Sequence, residues 1–427
     1  MGSVRPKASA APAAERYVVL DSWRGICAIL VALFHFPLQW HFQGASFVRG
    51  SWLFVDFFFV LSGFVIAHAY AGKLSTRKDV VAFVIRRFGR LWPLHFALLI
   101  FVLGAALIKF MARGMGADID ITSNSNNTPY SFLANILFLH SFGLYDTVTW
   151  NTPSWSISAE FLTNLMFGIC FLLVPWGRIP AALALAAAGA IELMVFSEKN
   201  IDTSAQFGLF RCMYGFFVGY VIYRIATAEG MPSLRGQKTA TVFEFACVVV
   251  IAMFVALAPG SRWQMLAPFV FAFAIWVFAA EQGIVSRLLR TPAIAIVGLL
   301  SYSIYMTHQI IIAMVNNAVQ IGAKLISKNA AGSWEADFFA NPWWMDGVVV
   351  VFIAAMIGAG WCTYNLIEVP WRRRFNRIAS KISPKREIVP LGVSLDTLRT
   401  ELDSPPLFRE SEHESAKTEV KAAPVAN

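Results

Sequence analysis

Long apolar runs, separated by short polar stretches that carry most of the lysine and arginine, fill the first 370 or so residues of this chain. A helix crosses the roughly 30 Å hydrocarbon core of a bilayer with about 20 predominantly apolar residues. Runs of that order fall at 25–41, 51–71, 91–110, 157–175, 180–196, 207–225, 241–258, 265–281, 294–316 and 346–367. They predict an all-α polytopic membrane protein, a bundle of about ten transmembrane helices. The stretch 131–145 is apolar but short and contains Asn135 and His140, so it reads as an interfacial or re-entrant helix.

Composition agrees: of 427 residues, 57% are hydrophobic and only 14% charged, and the mean hydropathy of +0.59 excludes an ordinary soluble domain. Positively charged loops stay on the cytoplasmic side. With the N-terminus inside, ten spans put the C-terminus inside too, and the inner segments then hold roughly three times the Lys and Arg of the outer ones. The net charge of +9 is thus a sorting signal, and no nucleic-acid partner is expected. Cys27, Cys170, Cys212, Cys247 and Cys362 lie singly in apolar segments, so neither a disulfide framework nor a metal site is implied. The first apolar run lacks a small-residue cleavage site and reads as a retained helix. Residues 1–16, rich in Ala and Pro, are expected to be disordered; 17–375 form the membrane domain; 376–427 form a disordered cytoplasmic tail.

Ionisable residues inside a membrane span are costly and mark functional cavities. His35 lies in the first apolar run, eleven residues after Arg24. In a helix that spacing is about 1100° of rotation, a net offset of about 20°, with about 16 Å of rise. The two side chains share a face. Helical rise also brings Asp56, Glu160 and His308 to the height of His35, which predicts one polar cavity in the outer half of the membrane. At the opposite, cytoplasmic mouth stand Arg86, Arg87 and Arg90, whose planar guanidinium forks suit phosphate.

These residues fall in ordered motifs. Leu20-Asp21-Ser22-Trp23-Arg24-Gly25 leads to Leu33-Phe34-His35-Phe36, a basic residue, a ten-residue gap and a histidine. Val55-Asp56-Phe57-Phe58-Phe59-Val60-Leu61-Ser62-Gly63-Phe64 follows, then Arg87-Phe88-Gly89-Arg90, Trp155-Ser156-Ile157-Ser158-Ala159-Glu160, Ser301-Tyr302-Ser303-Ile304-Tyr305 with His308, and Glu368-Val369-Pro370 with Trp371-Arg372-Arg373. Over residues 17–375 the chain resembles the acyltransferase 3 family of integral-membrane O-acyltransferases, with Ser22 and Trp23 in place of the more usual Gly and Leu. The resemblance implies transfer of an acyl group, most often acetyl, from acyl-CoA in the cytoplasm to a hydroxyl of a cell-surface or exported carbohydrate or glycolipid. It also implies a bacterial inner or plasma membrane, with acyl-CoA as donor substrate and no bound cofactor or metal.

Roles follow from the motifs and the chemistry together. Arg24, Arg86, Arg87 and Arg90 are the candidate donor-binding residues; for the three clustered arginines the alternative is a topology signal, which weighs most at Arg86. His35 is the candidate general base, since an imidazole titrates at about 6.5; attack through an acylated histidine is the alternative. Asp56, Glu160 and His308 complete the catalytic set. Either carboxylate could orient the imidazole or pin helices together. His41, His68, His95, His140 and His413 read as interfacial or loop residues without a role. A transporter or flippase for a lipid-linked or glycan intermediate is the rival reading, with the same residues lining a path. Nothing in the chain aligns as the paired halves of such transporters.

Overall fold

The computed structural model describes residues 16–70, 73–115, 126–228, 236–327 and 342–384, which are helices and connecting turns. Ten helices among them are long and apolar enough to cross a membrane. In chain order the helices are α1 Val18–His35, α2 Ser46–Tyr70, α3 Arg77–Gly114, the short α4 Pro129–Ile136, α5 Ser154–Leu173, α6 Arg178–Phe196, α7 Gly208–Ala226, α8 Gln237–Leu257, α9 Arg262–Ala279, the short α10 Ile284–Leu289, α11 Pro292–Ser327, α12 Pro342–Thr363 and α13 Val369–Ile382. One π-helical stretch, Tyr364–Glu368, joins α12 to α13.

Each predicted span has its helix, but two boundaries shift for identifiable reasons. α1 begins at Val18 and stops at His35, where Phe36 turns extended ahead of Pro37. A residue before proline is driven out of the α region. His35 is therefore the last residue of its helix rather than a residue deep inside one. α3 starts at Arg77, well before its apolar run, because Thr76 and Asp79 form a reciprocal capping box. That start takes Arg86, Arg87 and Arg90 into the helix. The expected domain boundary at residue 375 falls inside α13, which continues to Ile382 and packs along α3. Of the disorder expected at 1–16 and 376–427, the start of the second segment is helix to Ile382, and residues 1–15 and 385–427 lie outside the described residues.

Two close helix pairs position the site. α1 packs against α11 and α2 against α7. At the first crossing a Cβ on Gly25 would lie 2.6 Å from the Gly298 amide nitrogen, and one on Gly298 would lie 2.6 Å from the Asp21 carbonyl carbon. Only glycine admits backbones this close. The helices run in the same direction, so ten residues past each glycine, about 15 Å of rise, His35 and His308 arrive side by side. At the second crossing Gly63 meets Phe216 and Gly219 meets Val60, backbone against side-chain-free backbone in antiparallel register.

Candidate active site

The two imidazole rings face each other with centroids 5.2 Å apart. His35 is half-buried, whereas His308 is fully enclosed. The His35 Nδ1–H donates to the Val31 carbonyl at 2.9 Å, one turn back on its own helix. His308 Nδ1–H does the same to Tyr305 at 2.5 Å. In a neutral imidazole that donation leaves Nε2 with a free lone pair. His308 Nε2 is buried with no hydrogen-bond partner among the described residues. Two basic nitrogens are thus held ready by nothing more than local backbone.

Beneath this layer a pocket runs between α1, α2, α3, α5 and α11. Five arginines, Arg16, Arg24, Arg87, Arg90 and Arg372, line it against two carboxylates, Asp21 and Glu160. Arg24 pairs with Asp21 at 2.9 Å and donates to Ser301 Oγ at 2.7 Å. Arg87 pairs with Glu160, which also accepts from Ser62 at 2.8 Å. Arg90 pairs with Glu368, which in turn accepts from Ser303 at 2.9 Å and from Arg372 at 3.1 Å. Phe58, Ser156 and Tyr305 also line the pocket, and the Tyr305 ring lies 5.6 Å from that of His308. An arginine-lined pocket therefore reaches as far as Tyr305, the neighbour of the imidazole pair.

The Trp155–Glu160 motif shows why its residue types recur at that spacing. Ser156 and Glu160 are four apart and share the helix face that lines the pocket. Ser158 points the other way and ties the loop after α4, donating to the Phe138 carbonyl at 2.7 Å and accepting from Ser141 at 2.8 Å. Comparison with known proteins decides what this arrangement is. The acyltransferase-domain profile of the acyltransferase 3 family matches residues 17–368, most of the chain and every motif above except the last, of which it reaches only Glu368. The chain belongs to this family.

The acyltransferase is 29% identical over 195 residues to protein 2 in the picA locus of Rhizobium radiobacter, 43% of this chain and 96% of that protein. It is 30% identical over 158 residues to the acyltransferase MdmB of Streptomyces mycarofaciens, 36% of this chain and 37% of that one. It is 22% identical over 331 residues to the peptidoglycan O-acetyltransferase OatA of Listeria monocytogenes, 71% of this chain and 50% of that one. The chain thus spans half or less of the latter two proteins. No solved structure matches it. Family and span count together make it an integral-membrane enzyme that transfers acyl groups other than aminoacyl.

Within this acyltransferase the expected four-residue layer divides. His35 and His308 meet, but Asp56 and Glu160 do not join them. Both oxygens of Asp56 are taken by Arg211 of α7, at 2.9 and 2.6 Å, in a pair with Asp56 0% and Arg211 3% exposed. Trp52 and Trp155 flank that guanidinium at 5.0 and 5.5 Å. Glu160 turns down to Arg87 instead. A carboxylate in an apolar bundle takes the nearest guanidinium, because an unpaired buried charge is far more costly than an ion pair. Neither carboxylate therefore orients an imidazole; the backbone carbonyls of Val31 and Tyr305 do.

Arg86 lies outside the pocket lining, beside Tyr70. His95 and His140, expected at an interface or in a loop, are buried and stacked on each other at 5.5 Å. Burial first, and His95 beside it second, push the His140 imidazole down to about 3, so it stays neutral. Ser156, Tyr305 and Glu368 stand in the motifs above without an assigned role, and Arg211 stands in none. For Arg211 a signal existed: it is a charged residue inside the predicted span 207–225, the same kind of anomaly that singled out His35.

Proposed function

We propose that this enzyme is a bacterial plasma-membrane O-acyltransferase that carries an acyl group, most readily acetyl, from cytoplasmic acyl-CoA to a hydroxyl of a cell-surface or exported carbohydrate or glycolipid. The observation that carries the reading is the pocket itself, with arginines at its mouth and two imidazoles with free lone pairs just beyond its far end. The pattern of Lys and Arg along the chain supports an orientation with that mouth, and both termini, on the cytoplasmic side. The name of the Listeria relative, a peptidoglycan O-acetyltransferase, supports a carbohydrate acceptor.

Arg24, Arg87 and Arg90 hold the donor's phosphates, and the pantetheine arm extends along the pocket toward Tyr305. His35 Nε2 accepts the proton of the acceptor hydroxyl, the free oxygen attacks the thioester carbonyl, and the C–S bond breaks. The imidazolium then returns the proton to the leaving thiolate, which gives free thiol, acylated acceptor and the original imidazole. His308 shields the base from the pocket side. Substrate charge and reaction are thus separated by about the 16 Å between Arg24 and His35 along α1. The test is purified enzyme in vesicles with acetyl-CoA labelled in the acetyl group and a panel of carbohydrate acceptors. Label moving to a hydroxyl supports the reading. Export of an unmodified glycan intermediate with no label transfer would establish the rival flippase.

A further inference from the structure

Tyr305 belongs to both halves of the site. It lines the pocket, its ring packs on His308 at 5.6 Å and its carbonyl holds His308 Nδ1–H, while neither histidine is among the lining residues. Its hydroxyl lies 2.9 Å from Ser156 Oγ. Ser156 Oγ is also 3.0 Å from the Pro153 carbonyl, which can only accept, so the single serine proton goes there. The Tyr305 O–H is then the donor to Ser156. Phe58 stands edge-on to the same ring at 5.5 Å. One side chain, fastened across the bundle from α11 to α5 by one neutral hydrogen bond, thus touches both the pocket and the imidazole pair.

We infer that Tyr305 is a selectivity residue for the reaction: its side chain closes the pocket against the imidazoles and swings aside when a thioester-bearing arm fills the pocket. The chemistry calls for such a partition. A base open to a water-filled pocket would activate water against the thioester, and excluding water is how a transferase avoids becoming a hydrolase. A neutral bond suits the task, because its net strength is small and an incoming amide or thioester can displace it. The inference rests on the pocket being the donor site, and the experiment separates the two ideas.

The first arm needs no catalysis. In full-length enzyme reconstituted in vesicles, His308→Cys supplies a thiol just behind the gate. A charged methanethiosulfonate reagent is added on the side of the arginine mouth, and labelling of the peptide containing position 308 is followed by mass spectrometry. Combining His308→Cys with Tyr305→Phe, which keeps the ring and loses the bond, should raise the labelling rate about fivefold; Tyr305→Ala should raise it at least tenfold. Equal rates in all three overturn the gate. The Phe variant preserves packing, so a folding failure of Tyr305→Ala does not decide the matter. The second arm uses Tyr305→Phe alone and measures acetyl-CoA hydrolysis against acyl transfer. The ratio should rise severalfold if water now reaches the base, an effect that a merely structural role would not produce. Faster labelling that coenzyme A does not slow, with hydrolysis unchanged, supports the gate and overturns the donor reading.

Discussion

The imidazole layer and the arginine mouth solve opposite problems. Each histidine is oriented by a carbonyl three or four residues back on its own helix, and among the described residues no carboxylate pairs with either ring. Each of the five arginines at the mouth already holds a carboxylate, and for two of them that partner is remote in sequence: Arg87 with Glu160, Arg90 with Glu368. Local partners leave a nitrogen lone pair free, whereas remote partners neutralise a charge that the apolar bundle could not otherwise bury. One region keeps reactivity in reserve and the other keeps charge in reserve. A phosphate entering the mouth must share or displace carboxylates, but a hydroxyl reaching His35 displaces nothing.

The sharpest way to break this contrast is His35→Ala. Loss of a positioned base costs about two to four orders of magnitude in turnover, while the polar bond lost among the described residues is one to the same helix. Labelled-acetyl transfer should collapse with membrane accumulation near normal. Wild-type transfer by a well-accumulated variant would remove His35 from the chemistry. Asp56→Asn should show the converse. Its pair with Arg211 is sealed, so leaving that guanidinium unmatched should cost about 3–5 kcal/mol of stability, read as a lower unfolding temperature in detergent. Replacing both, Asp56→Leu with Arg211→Met, should recover most of that loss. A full loss of transfer in a stable double variant would show that the pair does more than join α2 to α7.

The glycine crossing offers a third test, of register alone. Gly25→Val forces α1 and α11 apart at a backbone contact that no side chain can enter. A shift of about 1 Å between reacting groups can cost about 10²-fold in rate, so turnover should fall by that order while the KM for acyl-CoA changes little. A proportional rise in KM would mean that the wedge reaches the mouth as well.

How much of this could be read in advance differs by region for the same physical reason. Span number and helix type follow from apolar length, and all ten helices were legible. Their ends were not: α1 carries Asp21 and Arg24 inside the helix because Arg16, Asp21, Arg24 and Ser301 satisfy one another. The meeting of His35 and His308 was legible as a common height, since both lie on continuous helices where rise is fixed. The partners of Asp56 and Glu160 were not, because rise gives height but not which neighbouring helix brings a cation. Long arginine side chains also reach more than a turn along the axis, so Arg87 serves a carboxylate that backbone height alone assigned to the other layer.

The smallest expected effect tests the reserve of charge at the mouth. Arg87→Gln alone is ambiguous, because it leaves Glu160, 19% exposed against 0% for Asp56, without its ion-pair partner. Pairing it with Glu160→Gln removes both charges and leaves the scaffold neutral. If Arg87 holds a phosphate of the donor, the double variant should raise the KM for acyl-CoA by about tenfold, in line with one charge-assisted hydrogen bond, and leave the KM for the acceptor unchanged. Arg87→Lys, with Glu160 intact, should fall between: a lysine keeps the charge and the ion pair but loses the bidentate fork. The view that this arginine only orients the protein in the membrane makes the opposite forecast, since topology counts charge and ignores shape. Lysine would then be indistinguishable from arginine. A reporter placed at Asn126, on the side opposite the mouth, confirms insertion in each variant, so that a change in donor KM cannot be mistaken for an inverted chain. Unchanged donor KM in the correctly inserted double variant would leave the Arg87–Glu160 pair a helix fastener like Asp56–Arg211, and the contrast between the two carboxylate–arginine pairs would disappear.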